Sequence, residues 1–307
     1  MQSTSPTLTN SIVICTRNRR IDILTFLRSL QNQTMRPAEL IIVDSSDQPL
    51  SNDQEFAQLC ATHQQTGTQV IVEHTRPGTS YQRNVGASKS SADILHFFDD
   101  DVELEPDYLA QMTATFMQHP HYVGGMGAVQ NLPKPASKLY RCLRTLFLLQ
   151  QDRASGNFTW SGMPTHTYGT TTFKNVQVLG GCCMAYRRPI YMHYLLDEKL
   201  EKMSNYAYME DCDLSWRVSH AHPLFFNPAA RLNHYHSPAN RDGIATRCAL
   251  YVHNYSYLFF KNVYPQNKIK IFAYCWSIIG LYVQALLYRQ WDEIKGYTRG
   301  LQHFYCD

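Results

Sequence analysis

The nine cysteines include no Cys-x-x-Cys pair and no ladder of metal-ligand spacing, and their odd number with an adjacent Cys182-Cys183 pair argues against a disulfide framework. A reducing, cytoplasmic compartment is expected. Net charge is also scarce: 28 Lys and Arg against 25 Asp and Glu leave +3 over 307 residues, which excludes nucleic-acid binding by bulk electrostatics. Residues 1–10 have neither a basic start nor an apolar stretch, so no cleaved export signal is expected. Internal repeats and low-complexity tracts are absent. What remains, at 44% hydrophobic and 17% charged, suits one large core with an appendage.

The apolar residues arrive first in short unbroken runs. Residues 11–16 predict a buried strand, and Ile21, Leu24, Leu27 and Leu30 recur at the spacing of a helix face. A second strand over 40–44 ends in Asp44, a helix over 54–63 follows, and 69–72 predicts a third strand. A turn beginning at Arg76 leads into a helix to residue 91, and 94–98 predicts the next strand. This alternation is that of a mostly parallel sheet covered by helices, an α/β class. Further on, 107–118 predicts a helix, 123–128 extended chain, and 176–181 a strand ending in Gly180 and Gly181. Residues 131–174 show no sustained period and read as an irregular segment, a variable loop or lid.

Asp99, Asp100 and Asp101 follow directly on the 94–98 run. Carboxylates gathered at the carboxyl end of a buried strand can hold a hard divalent ion, although a lone acidic triplet is also ordinary turn chemistry. Two further clusters, Glu210-Asp211-Cys212-Asp213 and Asn233-His234-Tyr235-His236, add oxygen and nitrogen ligands, and together the three suggest one site.

These residues resemble the family 2 glycosyltransferases, inverting enzymes of the GT-A nucleotide-sugar-binding fold. The likeness covers roughly residues 11–240 and runs in order through Ile12-Val13-Ile14-Cys15-Thr16-Arg17-Asn18-Arg19, Ile41-Ile42-Val43-Asp44, Arg83-Asn84-Val85-Gly86, Phe98-Asp99-Asp100-Asp101, Gly180-Gly181-Cys182-Cys183 and Glu210-Asp211-Cys212-Asp213. The resemblance implies a catalytic domain over 1–243 and a C-terminal helical region over 244–307. It implies that Thr16, Arg17, Asp44, Arg83, Asn84, Asp99, Asp100 and Gly181 bind the nucleotide sugar. Asp99 and Asp101 form the DxD motif, with Asp101 the direct ligand of Mn2+ or Mg2+ and His234, or else His236, completing the set. Asp211 is the expected general base and Glu210 its supporting acid, while Asp213 reads as a helix N-terminal charge. A helix cap is the lesser alternative for Asn84. Arg187, Arg188 and Arg241 are candidates to offset pyrophosphate charge.

The donor is expected to be a UDP-sugar, with dTDP-rhamnose as a competitor, and the acceptor a glycan or lipid-linked oligosaccharide. Residues 16–20 contain no glycine, which argues against a sugar-nucleotide pyrophosphorylase, and neither Asp44 nor Asp99 is placed as the nucleophile of a HAD-type phosphatase. A non-catalytic carbohydrate- or nucleotide-sugar-binding relative stands as the alternative. Residues 244–262 and 271–288 predict helices, and the second has no charge over 18 positions. Its length is marginal for a membrane span. Its tyrosines and flanking Lys268, Lys270 and Arg289 suit a helix lying on an anionic membrane or packing in the core.

Overall fold

The computed structural model describes residues 8–132, 134, 136–151, 155–201, 203–204, 208–237 and 242–306. The first half alternates strand and helix: β1 (Asn10–Thr16), α1 (Arg20–Gln31), β2 (Glu39–Asp44), α2 (Gln54–Gln65), β3 (Gln69–His74), α3 (Thr79–Lys89) and β4 (Ile94–Asp99). Then come β5 (Val102–Leu104), α4 (Tyr108–Gln118), β6 (Gly124–Val129), α5 (Lys138–Leu146), β7 (Lys174–Val176), β8 (Met184–Arg187), α6 (Arg188–Tyr194), α7 (Glu210–Ser219) and β9 (Leu224–His234). The chain continues into α8 (Ile244–Leu258), α9 (Ile271–Leu287) and α10 (Trp291–Cys306).

One sheet runs β3-β2-β1-β4-β8-β6-β9-β5, with β7 added on β9. The pairs β3/β2, β2/β1 and β1/β4 are parallel, as is β6/β9, whereas β8, β5 and β7 pair antiparallel. β1, β2 and β4 are apolar on both faces because helices cover both, and Ile12, Val13, Ile14, Leu40, Ile41, Ile42 and Phe97 are fully buried. Each such side chain contributes about 1.5–3 kcal/mol of burial. Helix α3 lies so close to this layer that a Cβ on Gly86 would stand 2.4 Å from Val13 Cγ1, which explains the glycine.

At the amino-terminal edge of the sheet, Glu39 opens β2 and accepts from Ser90 Oγ at 2.6 Å and Ser91 N at 3.0 Å, tying β2 to the end of α3. Burial pushes this carboxyl up, but the serine hydrogen bonds outweigh it and hold the group below its ordinary 4.5. A depressed folded value means stability that is present above the unfolded value and lost as pH falls through the folded one. Glu39→Gln is therefore expected to cost about 1–3 kcal/mol at neutral pH. The gap to wild type should close below the carboxylate range in urea titrations, and a gap independent of pH would contradict the assignment.

Two expected elements differ. Residues 176–181 were predicted as a strand, but β7 ends at Val176 and the next strand, β8, starts after the glycines. The backbone between them bonds elsewhere: Val178 N donates to Gly156 O, Leu179 N to Ser215 Oγ and Gly180 N to Met126 Sδ. The irregular 131–174 segment contains α5, capped by Ser137 Oγ, none of whose side chains is fully buried. In the C-terminal region α8 runs on as a π-helical turn over Phe259–Val263, and α10 packs along α8 with Gly296 and Gly300 against α8 carbonyls.

Candidate active site

The carboxyl ends of β1 and β4 open into a cleft of about 580 Å3, within the range of small-ligand sites. Its walls include Thr16, Arg17, Arg83, the three aspartates, Gly181, Glu210, Asp211 and His234, which therefore come together from six separated stretches of sequence.

Strand register explains the meeting of the aspartates with His234. The chain turns at Asp99-Asp100-Asp101 from β4 into β5, and β5 pairs with the end of β9 so that Val102 faces His234. Tyr235 N donates to Asp101 O at 2.9 Å and Ser237 N to Asp101 Oδ2 at 2.7 Å. Asn131 braces the histidine, accepting from His234 N at 2.8 Å and donating to its carbonyl at 3.0 Å. His234 Nε2 then lies 2.9 Å from Asp101 Oδ1 and 3.7 Å from Asp99 Oδ2.

One ligand atom from each of Asp99, Asp101 and His234 can be chosen so that all three lie within 4.8 Å of one another. Two carboxylates and an imidazole at that spacing fit a divalent cation. Burial favours neutral forms of both Asp101 and His234, yet their contact outweighs it, driving the carboxyl down and the imidazole up. His236 sits at a positive φ of 53°, its ring 3.9 Å from that of His234, outside this three-residue group.

Asp100 turns the other way. Its oxygens accept from Thr16 Oγ1 at 2.7 Å and Arg19 at 3.0 Å, and burial, opposed by Arg19, pushes its carboxyl up to about 7. Arg19, whose role the sequence left open, also approaches Asp101 Oδ2 at 3.8 Å. Arg17 flanks the cleft and lies 3.8 Å from Asp47.

Arg83 connects the two acidic groups. Its side chain is 3% exposed and donates to Glu210 Oε1 at 2.8 Å, Asp99 Oδ1 at 2.8 Å and Gly181 O at 3.0 Å. Burial and the adjacent Asp211 push the Glu210 carboxyl up against the pull of this guanidinium. Asp211, in the first turn of α7 after Met209 in a left-handed conformation, accepts from Gly181 N at 2.7 Å and Cys212 N at 2.7 Å. The backbone at Gly181 threads between these groups, for a Cβ there would stand 3.3 Å from both Arg83 and Asp211. Asp213 is fully buried and binds Arg217, Lys261 and Asn262, locking α7 to the end of α8 rather than serving only the helix dipole.

Several residues expected at the donor have other partners or lie elsewhere. Asp44 is 1% exposed and both its oxygens are taken, by Ser46 N at 2.8 Å and Leu50 N at 2.7 Å, so it shapes the loop after β2 instead of lining the cleft. Asn84 faces away from the cleft and clamps Leu196, accepting from its N–H and donating to its carbonyl, with Tyr191 Oη donating as well. Nor does it cap a helix, since it lies inside α3. Arg187 donates to the carbonyls of Tyr122 and Phe116, and neither it nor Arg188 lines the cleft. Arg241 lies outside the described residues.

Two further residues, one behind the cleft and one in its wall, carried no signal in sequence. Glu201 accepts from Ser80 N and Tyr81 N, holding the start of α3 across a separation of 120 positions or more. His166 stacks on Tyr168 with ring centroids 5.2 Å apart, and its buried Nδ1 has no hydrogen-bond partner among the described residues.

The fold and cleft define the class: the GT-A architecture, a mixed and mostly parallel sheet flanked by helices. It superposes with a TM-score of 0.60 and 17% identity on the crystal structure of GalNAc-T7 with UDP, GalNAc and Mn2+, over 83% of this chain and 48% of that one. Residues 11–195, more than half of the chain, match the model of glycosyl transferase family 2, and the chain belongs to that family. It is 31% identical over 112 residues to an uncharacterized glycosyltransferase of Haemophilus influenzae, covering 36% of this chain and 35% of that protein. It is 29% identical over 122 residues to a glucosyl-dolichyl phosphate glucuronosyltransferase of Haloferax volcanii, covering 39% and 37%. The aligned part thus spans little more than a third of either relative.

Proposed function

We propose that the protein is an inverting glycosyltransferase that moves a sugar from a nucleoside-diphosphate sugar to an acceptor hydroxyl by one displacement. The observation that carries this reading is the meeting, in one cleft, of the Asp99, Asp101 and His234 cluster with Asp211, bridged by Arg83 and Glu210. The donor is a UDP-sugar or dTDP-rhamnose. The acceptor is a glycan or a lipid-linked oligosaccharide, and the site of action is the cytoplasmic face of a membrane.

Asp99, Asp101 and His234 would hold Mn2+ or Mg2+. The ion supplies Lewis-acid stabilisation of charge on the departing diphosphate. The chain's own residues do the rest. Thr16 and Arg17 flank the nucleotide at the end of β1, and Arg19 adds a cation beside Asp100 and Asp101. Asp211, oriented by the N–H groups of Gly181 and Cys212, removes the acceptor hydroxyl proton as the oxygen–anomeric carbon bond forms and the bond to the diphosphate breaks. Glu210, held by Arg83, fixes the turn from which Asp211 projects. His166 and Tyr168 form a stacked wall on the acceptor side, with an imidazole nitrogen available to a sugar hydroxyl.

Isothermal calorimetry against a panel of nucleoside diphosphates, with and without Mn2+, tests the reading. One nucleotide should bind in a manganese-dependent way, and Asp101→Ala should weaken that binding by roughly a hundredfold, since losing even a supporting partner of a metal ligand costs about 10–100-fold. No nucleotide binding in folded protein would favour a non-catalytic relative.

A further inference from the structure

Helix α9 carries large apolar side chains on both of its faces. Its packed face sets Tyr274 and Leu281 in the C-terminal core beside the small and polar Ser277, Gly280 and Gln284, with Ser277 Oγ donating to Phe147 O and a Cβ on Gly280 meeting Phe147. Its outer face carries Phe272 at 74% exposure, Ile279 at 50% and Leu287 at 62%. A surface helix ordinarily turns charged and polar side chains to the outside.

Helix α5 lies against it and is likewise apolar on its exposed side. Leu139 and Leu146 are 65% and 60% exposed, and Trp276 of α9 donates its indole N–H to Leu146 O, riveting the two helices together. Tyr140 and Tyr288 meet edge to face at 5.5 Å at the other end of the contact. The charges around this face have one sign. Residues 131–151 and 264–291 contain no aspartate or glutamate, while Lys138, Arg141, Arg144, Lys268, Lys270 and Arg289 stand among them; acids resume at Asp292.

We infer that α5 and α9 form a platform that docks on an anionic lipid bilayer, with the apolar side chains entering the headgroup boundary and the lysines meeting lipid phosphates. The stretch Lys268–Leu287 is long and apolar enough to cross a membrane, but its inner face is engaged with Phe147 and with Ser256 through Tyr274, so the platform lies on the bilayer. Arg144 bears on Tyr251, a wall residue of the cleft, which places this surface one side chain away from the active site. A second copy of the chain would bury the apolar face equally well, but identical copies would bring the same-sign rims together, which disfavours that occupant.

The test is flotation of the full chain with phosphatidylcholine vesicles, with and without phosphatidylglycerol. Binding is expected with the anionic vesicles and should weaken with salt. The surface variant Phe272→Glu/Ile279→Glu should abolish it, and Lys138→Glu/Lys268→Glu should weaken it by roughly a hundredfold or more, since each cation near the surface counts by several-fold. Both variants should keep wild-type nucleotide affinity, which separates failure of this inference from failure of the proposed reaction. Wild-type protein that leaves anionic vesicles unbound overturns the inference. So does binding that neither variant changes, or a solution dimer that Phe272→Glu/Ile279→Glu dissolves without any effect on vesicles.

Discussion

Asp211→Asn is expected to lower kcat by about 10²–10⁴, the contribution of a positioned general base, while manganese-dependent nucleotide binding stays near wild type. The side chain is nearly isosteric, and Asp211 is held by backbone N–H groups of Gly181 and Cys212 and not by any of Asp99, Asp101 and His234. Asparagine can accept from only one of those two donors at full strength, so some loss of orientation accompanies the loss of the base. Single-turnover assays would measure the loss, and the anomeric configuration of the product would report the displacement. An Asn variant with unchanged kcat removes Asp211 from the chemistry, and a product of retained configuration removes the single displacement.

How much of this could be read from the sequence depends on whether a residue's role is set by its place along the chain or by where its side chain turns. β1, β2 and β4 were legible because strands buried on both faces leave unbroken apolar runs, and the strand ends then fix where Asp99 and Asp101 must stand. The partnership of Asp101 with His234 follows from the β5/β9 register, yet β5, only three residues long, gives no hint of that pairing. Asp44 and Asn84 occupy expected positions and turn inward, toward Leu50 and Leu196, because nearby backbone groups need their hydrogen bonds more than solvent does. A strand-end carboxylate looks the same in sequence whether it faces a ligand or closes a loop. Helix α5 was hidden for another reason: it is nine residues long, and Leu139 and Leu146 stay exposed while only Leu143 packs against the C-terminal core.

Arg83→Met should produce the largest loss of stability. The guanidinium is the common partner of Glu210, Asp99 and the Gly181 carbonyl, and all of these are set in or beside the buried wall of the cleft. Methionine fills much of the volume but leaves Glu210, itself only 7% exposed, without its cation. Breaking a buried pair from one side costs about 3–5 kcal/mol, a large part of the roughly 5–15 kcal/mol that holds a domain folded. Glu210 already binds its proton more readily than a free carboxyl because of burial and Asp211, so in the variant it should escape the unpaired charge by protonating. Removing Glu210 in the same chain should therefore give back part of the loss: Arg83→Met/Glu210→Gln is expected to be more stable than Arg83→Met alone, with a coupling energy of about 1–3 kcal/mol in urea denaturation. Full recovery is not expected, because Asp99 and the Gly181 carbonyl still lack their donor. If the two substitutions instead add independently, Arg83 and Glu210 are not a coupled pair, and the bridge between the aspartate cluster and the turn that carries Asp211 has to be sought elsewhere.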